Sequence, residues 1–333
     1  PMPWPRIHEA LVQQYGDIDH YFSEVEERPF ASASMGQVHR ATTHEGETVV
    51  LKVQYPGLAE VLESDLIQVR RIMRLGRWFK VPQARLDALF EELAESLRGE
   101  LDYHAEAAAL ARYRERYKDD PRLVIPEPLP ALSGPHVLAM RYVEGTPLRE
   151  LAEADDATRQ GIAKTLADWI TQELFTYGEL HADPHAGNFA ADAQGRLVIY
   201  DLGAVIAVPD ARIKAMMQLL DATLKHDPMG MDEALMQMGG RLGQGAPLAL
   251  YRESAECIAP LFEPGEQDFS DVRVHRRLRE LTPKVWAAMD RLQPPAETLL
   301  LSRALNGHYW NLVRLGARLN MHERTLPLLQ RAY

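Results

Sequence analysis

The sequence predicts an α+β chain folded as two lobes, and three observations predict it. Strand-like alternation is concentrated early, around residues 31–53, whereas almost everything beyond residue 144 has helical spacing. Strands followed by helices exclude an alternating βαβ sheet. Between His181 and Gly203 a polar loop leads into a short apolar strand that ends in Asp-x-Gly. A chain of 333 residues with 46% hydrophobic content can build one large two-lobed domain.

Pro1 to Phe30 is a short amphipathic segment with Pro-rich ends. Gly36-Gln37-Val38-His39-Arg40-Ala41 and Thr48-Val49-Val50-Leu51-Lys52-Val53 read as paired strands around the polar turn His44-Glu45-Gly46-Glu47, and Tyr55-Pro56-Gly57 ends the second. Helical spacing runs from Ala59 to Lys80 and, after Val81-Pro82, from Arg85 to Tyr117 as one helix. Leu123–Ile125 and Val137–Tyr142 are further strands, and Glu144-Gly145-Thr146-Pro147 is a linker. This places an N-terminal lobe at 1–143 and a C-terminal lobe at 144–333. Helices are expected at 157–177, 209–225, 230–239, 248–261, 272–292 and 296–319. There is no internal repeat or low-complexity tract.

Composition narrows the function classes. The net charge of −11 argues against a nucleic-acid partner, whose phosphates would repel the chain. The single cysteine, Cys257, excludes an internal disulfide and fits a reducing compartment. No apolar run reaches the roughly 18 residues of a membrane span, and no signal peptide opens the chain, so a cytoplasmic protein is expected, peripheral at most to an inner membrane. The chain opens on Pro1 rather than Met. It is therefore expected to be a fragment or trimmed at its start.

The chemistry lies in His181-Ala182-Asp183-Pro184-His185-Ala186-Gly187-Asn188 and Val198-Ile199-Tyr200-Asp201-Leu202-Gly203. An Asp with an Asn five residues on, then a strand and Asp-x-Gly, matches the protein-kinase order H-R-D-x-x-x-x-N and D-F-G. Phosphoryl transfer needs one carboxylate to orient the attacking hydroxyl, here Asp183. It also needs an amide oxygen and a second carboxylate to hold a divalent cation, here Asn188 and Asp201. Lys52 sits inside an apolar strand, where a charge is costly unless paired. The alternative is an edge-strand lysine facing water. Glu106 is the favoured partner. Glu100 and Asp102 are read on the same helix, with Asp102 one turn before Glu106. His181 is read as a core histidine bonded to the loop, and a zinc site with His185 is disfavoured for want of a Cys/His companion. The loop Phe30-Ala31-Ser32-Ala33-Ser34-Met35-Gly36 occupies the place of a glycine-rich phosphate loop but keeps only Gly36. After Gly203 the chain passes directly through Ala204–Pro209 into a helix. No activation segment intervenes to support a protein substrate.

Together these residues resemble the AarF/UbiB family of atypical kinases, over roughly Pro29 to Asn320. The specific parts are Ser34-Met35-Gly36-Gln37-Val38-His39, Lys52-Val53-Gln54-Tyr55-Pro56-Gly57, Glu100-Leu101-Asp102-Tyr103 with Glu106-Ala107, and His181 through Asn188. The resemblance implies a protein-kinase-like fold with helices inserted after Lys52, and ATP or ADP bound with Mg²⁺ or Mn²⁺ between the lobes. It places Ala31, Ala33, Ser34 and Val38 around the nucleotide, with Lys52 and Glu106 as the orienting pair. Met140, Arg141 and Val143 form the adenine hinge through backbone groups of Arg141 and Val143. Glu100 and Asp102 form the family's E-x-D pair. Ser32 and Ala186 depart in minor ways from the family pattern. The family's Lys-x-Gly-Gln helix does not occur, and Pro1–Trp4 resembles the stretch just downstream of that helix.

The resemblance makes the protein an ATP-dependent phosphotransferase or ATPase acting near quinone-pathway lipids or biosynthetic proteins. A nucleotide-gated, pseudokinase-like module binding lipid or protein is the alternative, and a small-molecule kinase ranks lower. A third hypothesis attaches the 66–80 helix to a membrane surface through Arg70, Arg71, Arg74 and Arg77, with Val69, Ile72, Leu75 and Phe79 opposite. The plainer reading packs that apolar face in a lobe.

Overall fold

The computed structural model describes residues 1–33, 35–75, 83–241, 244–292 and 294–329. In chain order the elements are α1 (Trp4–Tyr15), β1 (Phe22–Val25), β2 (Ala31–Ser32), β3 (Gly36–Thr43), β4 (Thr48–Gln54), α2 (Leu58–Leu75), α3 (Gln83–Gly99), α4 (Tyr103–Arg116), β5 (Leu123–Val124), β6 (Val137–Arg141) and β7 (Thr146–Pro147). Next come α5 (Asp156–Gln172), β8 (Glu179–His181), β9 (Phe189–Ala191), β10 (Leu197–Ile199), β11 (Val205–Ala207), α6 (Asp210–Leu224), α7 (Pro228–Gln237) and α8 (Leu248–Ile258). The chain finishes with β12 (Gln267–Asp268), α9 (Val272–Ala287), α10 (Met289–Leu292), α11 (Ala296–Arg314), β13 (Arg318–Leu319) and α12 (Met321–Leu329). This is the α+β composition the patterning predicts.

Two compact units form. One holds Pro1–Arg77, Phe90–Pro147 and Asn188–Ala204; the other holds Trp78–Leu89, Leu148–Gly187 and Val205–Tyr333.

The first unit is built on an antiparallel sheet of order β1-β3-β4-β6, with β2 added to β3. Its central strand β4 is buried after Thr48, so its side chains divide between two covered faces. Val49, Leu51 and Val53 pack with Val137, Ala139 and Phe22 under α1, which contributes Ile7 and Leu11. Val50, Lys52 and Gln54 take the other face. A four-stranded sheet of order β5-β10-β9-β7 completes the unit, with the β9–β10 hairpin carrying residues 188–204.

Two expectations are corrected here. The helix read over 85–117 is two helices. Gly99 closes α3, and Asp102, at φ −92 and ψ 86, caps α4 by accepting from the His104 and Ala105 amides at 3.0 Å. Periodicity runs through this break because leucines at 97 and 101 keep the helical spacing. On α2 the buried face is Leu66, packed with Phe90 and Ala94 and flanked by Leu62 and Met73. Val69 and Ile72 are exposed, and Arg70 pairs with Glu91 at 2.8 Å above the Phe90 ring. The Arg74 and Leu75 side chains, Arg77 and Phe79 lie outside the described residues.

The second unit is largely helical. α6, α7, α8 and α9 enclose a core of Ala222, Met231, Leu250, Tyr251, Ala255 and Leu281. Antiparallel β8 and β11 pair Val205 with His181 and Ile206 with Leu180, bringing the chain after Gly203 straight to α6. Among the described residues, no helix is long and apolar enough to cross a membrane.

Candidate active site

Lys52 lies in the middle of the first unit's sheet, opposite Val38 on β3 and Leu138 on β6. It is therefore not an edge lysine. Its ammonium donates to both Glu106 oxygens, at 2.7 and 2.8 Å, and to Asp201 Oδ2 at 2.8 Å. Strand β4, the first turn of α4 and Asp201, two residues past β10, thus supply one buried cluster. The side-chain exposures are 9% for Lys52, 2% for Glu106 and 25% for Asp201, so Asp201 is the member solvent can reach.

One ammonium cannot neutralise two carboxylates, so burial disfavours the second negative charge. Burial pulls the Lys52 ammonium down, but Asp201 and Glu106 outweigh it and leave the group raised and charged. Glu106 is pushed up to about 7, first by burial and then by the like charge of Asp201, against the opposing pull of Lys52. A cluster carrying surplus negative charge in a dry place is suited to a cation.

Asp201 is further oriented by Gly203, whose amide donates to Asp201 Oδ1 at 2.9 Å. A Cβ at Gly203 would sit 3.2 Å from Glu106 Oε2 and 3.3 Å from Asp201 Oδ1, so a small residue keeps this corner open. Asn188 joins the same end of the hairpin. Phe189 pairs with Ile199, and the Tyr200 amide then donates to the Asn188 carbonyl at 2.9 Å. Asn188 and Asp201 thus both lie at this end of the hairpin. Among the described residues no group of three or more His, Cys, Asp or Glu side chains is suited to holding a metal. A cation here would need ligand oxygens as well, as nucleotide-borne Mg²⁺ normally does.

The loop before β3 is anchored rather than open. Ala31 and Ser32 pair with Val38 and Gln37, and the Ala33 amide donates to the Gly36 carbonyl at 3.0 Å. Ser34 lies outside the described residues. Gly36 is required for packing: a Cβ there would fall 2.2 Å from the Val53 carbonyl oxygen. Gln37 and His39 are fully buried. The Met2 amide donates to Gln37 Oε1 at 2.8 Å, and the Gln37 amide group lies 2.9 Å from His39 Nε2. Gln37, backed by His39, thus fastens the N-terminal segment.

At the expected hinge, Met140 is buried opposite Val50. The Arg141 amide donates to the Glu127 carbonyl and its guanidinium pairs with Glu47 and Glu127, while the Val143 carbonyl accepts from Tyr200 at 3.0 Å. Glu100 lies between α3 and α4, and Asp102 accepts both cap hydrogen bonds through Oδ1.

Sequence reasoning gave no role to Tyr103. It is buried, its ring lies 5.2 Å from the Lys52 ammonium, and its hydroxyl has no hydrogen-bond partner among the described residues. An orphaned donor beside a paired lysine fits a site that receives a polar ligand or ordered water.

Asp183 belongs to the second unit, in the loop after β8. His181, at the end of β8, is buried, with its ring 5.9 Å from Trp169 and 6.0 Å from His308. His185 Nδ1 accepts from the Gly187 amide at 3.1 Å.

A lysine on a central strand, its glutamate on α4 and an Asp-x-Gly behind a short hairpin define a protein-kinase-like fold. The chain belongs to the ABC1 atypical kinase-like family, whose domain matches residues 1–235. This is the family that the AarF/UbiB motifs indicate. An uncharacterized Synechocystis protein is 34% identical over 69% of this chain and 42% of its own length. The mitochondrial atypical kinase COQ8B of Danio rerio is 28% identical over 98% of this chain and 53% of its own. The mitochondrial atypical kinase COQ8 of Saccharomyces cerevisiae is 28% identical over 95% and 64%. This chain thus spans about half the length of the curated relatives it matches. A solved structure of Rv3197 from Mycobacterium tuberculosis with erythromycin shares the fold at TM-score 0.77 and 26% identity, covering 98% of this chain and 83% of that one.

Proposed function

We propose that the chain binds Mg²⁺–ATP and acts as an atypical kinase or ATPase. The observation that carries this reading is the buried Lys52–Glu106–Asp201 cluster with its surplus negative charge. Lys52, held by Glu106, receives the α- and β-phosphate oxygens. Asp201 and Asn188 would hold a divalent cation, which would supply charge neutralisation at the phosphates. Asp183 orients a hydroxyl or water and takes its proton as the oxygen attacks the γ-phosphorus; the phosphoryl group passes to that oxygen and ADP leaves. The short path from Gly203 through β11 to α6 leaves no segment for laying out a peptide, which favours a small acceptor or water. Work on quinone-pathway lipids or proteins, at a membrane surface, is the physiological setting that the sequence resemblance supports.

The test is Mg²⁺-dependent nucleotide binding and hydrolysis by the native chain, Asp201→Asn and Asp183→Asn. Asp201→Asn should weaken Mg²⁺–ATP binding at least about tenfold. Asp183→Asn should keep binding and lower turnover by about 10²–10⁴-fold, the usual worth of a positioned base. Asp201→Asn binding and turning over ATP like the native chain would overturn the reading. Intact binding with turnover indifferent to Asp183→Asn would favour a nucleotide-gated binding module instead.

A further inference from the structure

Helix α11 reaches back to the Asp183 loop with three contacts, all inside the second unit. His308 Nε2 lies 3.0 Å from the His181 carbonyl oxygen, a buried bond that only a protonated Nε2 can donate. Asn311 Nδ2 donates to the Pro184 carbonyl at 2.8 Å. Gly307 lies against the Pro184 ring so closely that a Cβ there would fall 2.1 Å from Pro184 Cγ. The two accepting carbonyls bracket Ala182 and Asp183. Residues 307, 308 and 311 share one face of α11 over a single turn. Asn311 and His308 are 3% and 2% exposed.

We propose that Gly307, His308 and Asn311 are positioning residues that fix the backbone on both sides of Asp183 and so set where its carboxylate stands. The inference rests on Asp183 acting as proposed above. It adds a requirement that none of the motif residues reveals: the loop's geometry is imposed by a helix more than 120 positions later in the chain. Backbone carbonyls held at both ends leave the intervening dipeptide little freedom. A catalytic group displaced by about 1 Å can lose about 10²-fold in rate. Burial keeps His308 neutral, pulling its imidazole down to about 3, so the donor persists across the working pH range.

The experiment compares native chain, Asn311→Leu and Asn311→Asp in Mg²⁺–ATP hydrolysis, with amide hydrogen exchange of residues 182–188 read on the same samples. Asn311→Leu removes the donor at similar size. It should lower kcat about 10–100-fold with KM within about twofold, and exchange of 182–188 should quicken while β3 and β4 stay protected. In Asn311→Asp an ionised carboxylate would face the Pro184 carbonyl, so kcat should be low at pH 8 and recover toward pH 5, where the protonated acid can donate; the native profile lacks this recovery. Unchanged kcat and unchanged loop exchange in Asn311→Leu would overturn the proposal, as would parallel loss of kcat, KM and global exchange protection. If the native chain hydrolyses no nucleotide, the functional reading fails separately. Loop exchange then decides the bracing alone: faster in Asn311→Leu supports it, unchanged refutes it.

Discussion

Lys52 is shared between two carboxylates, and Glu106, the more deeply buried, bears the cost. Its folded-state value of about 7 lies above the ordinary carboxylate range, because burial and Asp201 both oppose its ionisation. The native state therefore holds this proton more tightly than the unfolded chain does. The resulting stability is fully present below about pH 4.5 and is lost as pH rises through 7. Lys52 stays charged over that interval and does not reverse the sign. Glu106→Gln should consequently flatten the pH dependence. Between pH 5 and pH 8 the native chain should lose about 1–3 kcal/mol through this group, and Glu106→Gln should lose little of it. Urea midpoints at the two pH values check this; identical slopes for both chains would refute it. Lys52, Glu106 and Asp201 were nameable from sequence because each stands in a local pattern with its own period. Tyr103 was not, because nothing local marks a tyrosine whose hydroxyl lacks a partner among the described residues.

Among the elements, α4 does the most to build the cluster, since it presents Glu106 one turn after its cap. Asp102 accepts two orphan amides at the helix start, and such caps contribute about 0.5–2 kcal/mol. Asp102→Ala should lower stability by about 1 kcal/mol, and Asp102→Asn should retain it, because asparagine caps nearly as well. Thermal midpoints of both variants, with Mg²⁺–ATP affinity alongside, separate capping from a direct ligand role. An asparagine variant that folds at the native midpoint but loses cation-dependent binding would make Asp102 a ligand. The break before α4 had a readable signal, Gly99 followed by Asp102, which the apolar spacing of Leu97 and Leu101 masked. The contacts of α11 on Pro184 had none, since a glycine and an asparagine within an amphipathic helix announce no partner 127 positions away in sequence. The helix and strand types were legible where periodicity is local, as in β3, β4 and α5.

At the scale of the molecule, the chain leaves the first unit at Pro147 and returns to it for Asn188–Ala204 before ending in the second. That return is what brings Asp201 to Lys52, and a linear reading of periodicity has no means of seeing it. It also makes ligand binding a test of which unit carries the phosphate site. A ligand present at about 100 times its Kd stabilises the state that binds it by about 2.7 kcal/mol. Amides of the first unit that exchange through its unfolding should therefore slow by about 100-fold when Mg²⁺–ATP is added. Protection is expected in β3, β4, α4 and residues 188–204, and EDTA should abolish it while ATP remains. Hydrogen exchange read by mass spectrometry resolves these segments. Protection confined to residues 205–329, or protection indifferent to EDTA, would place the nucleotide away from Lys52 and Asp201, and the surplus charge at Glu106 would then be a structural feature without a ligand to answer it.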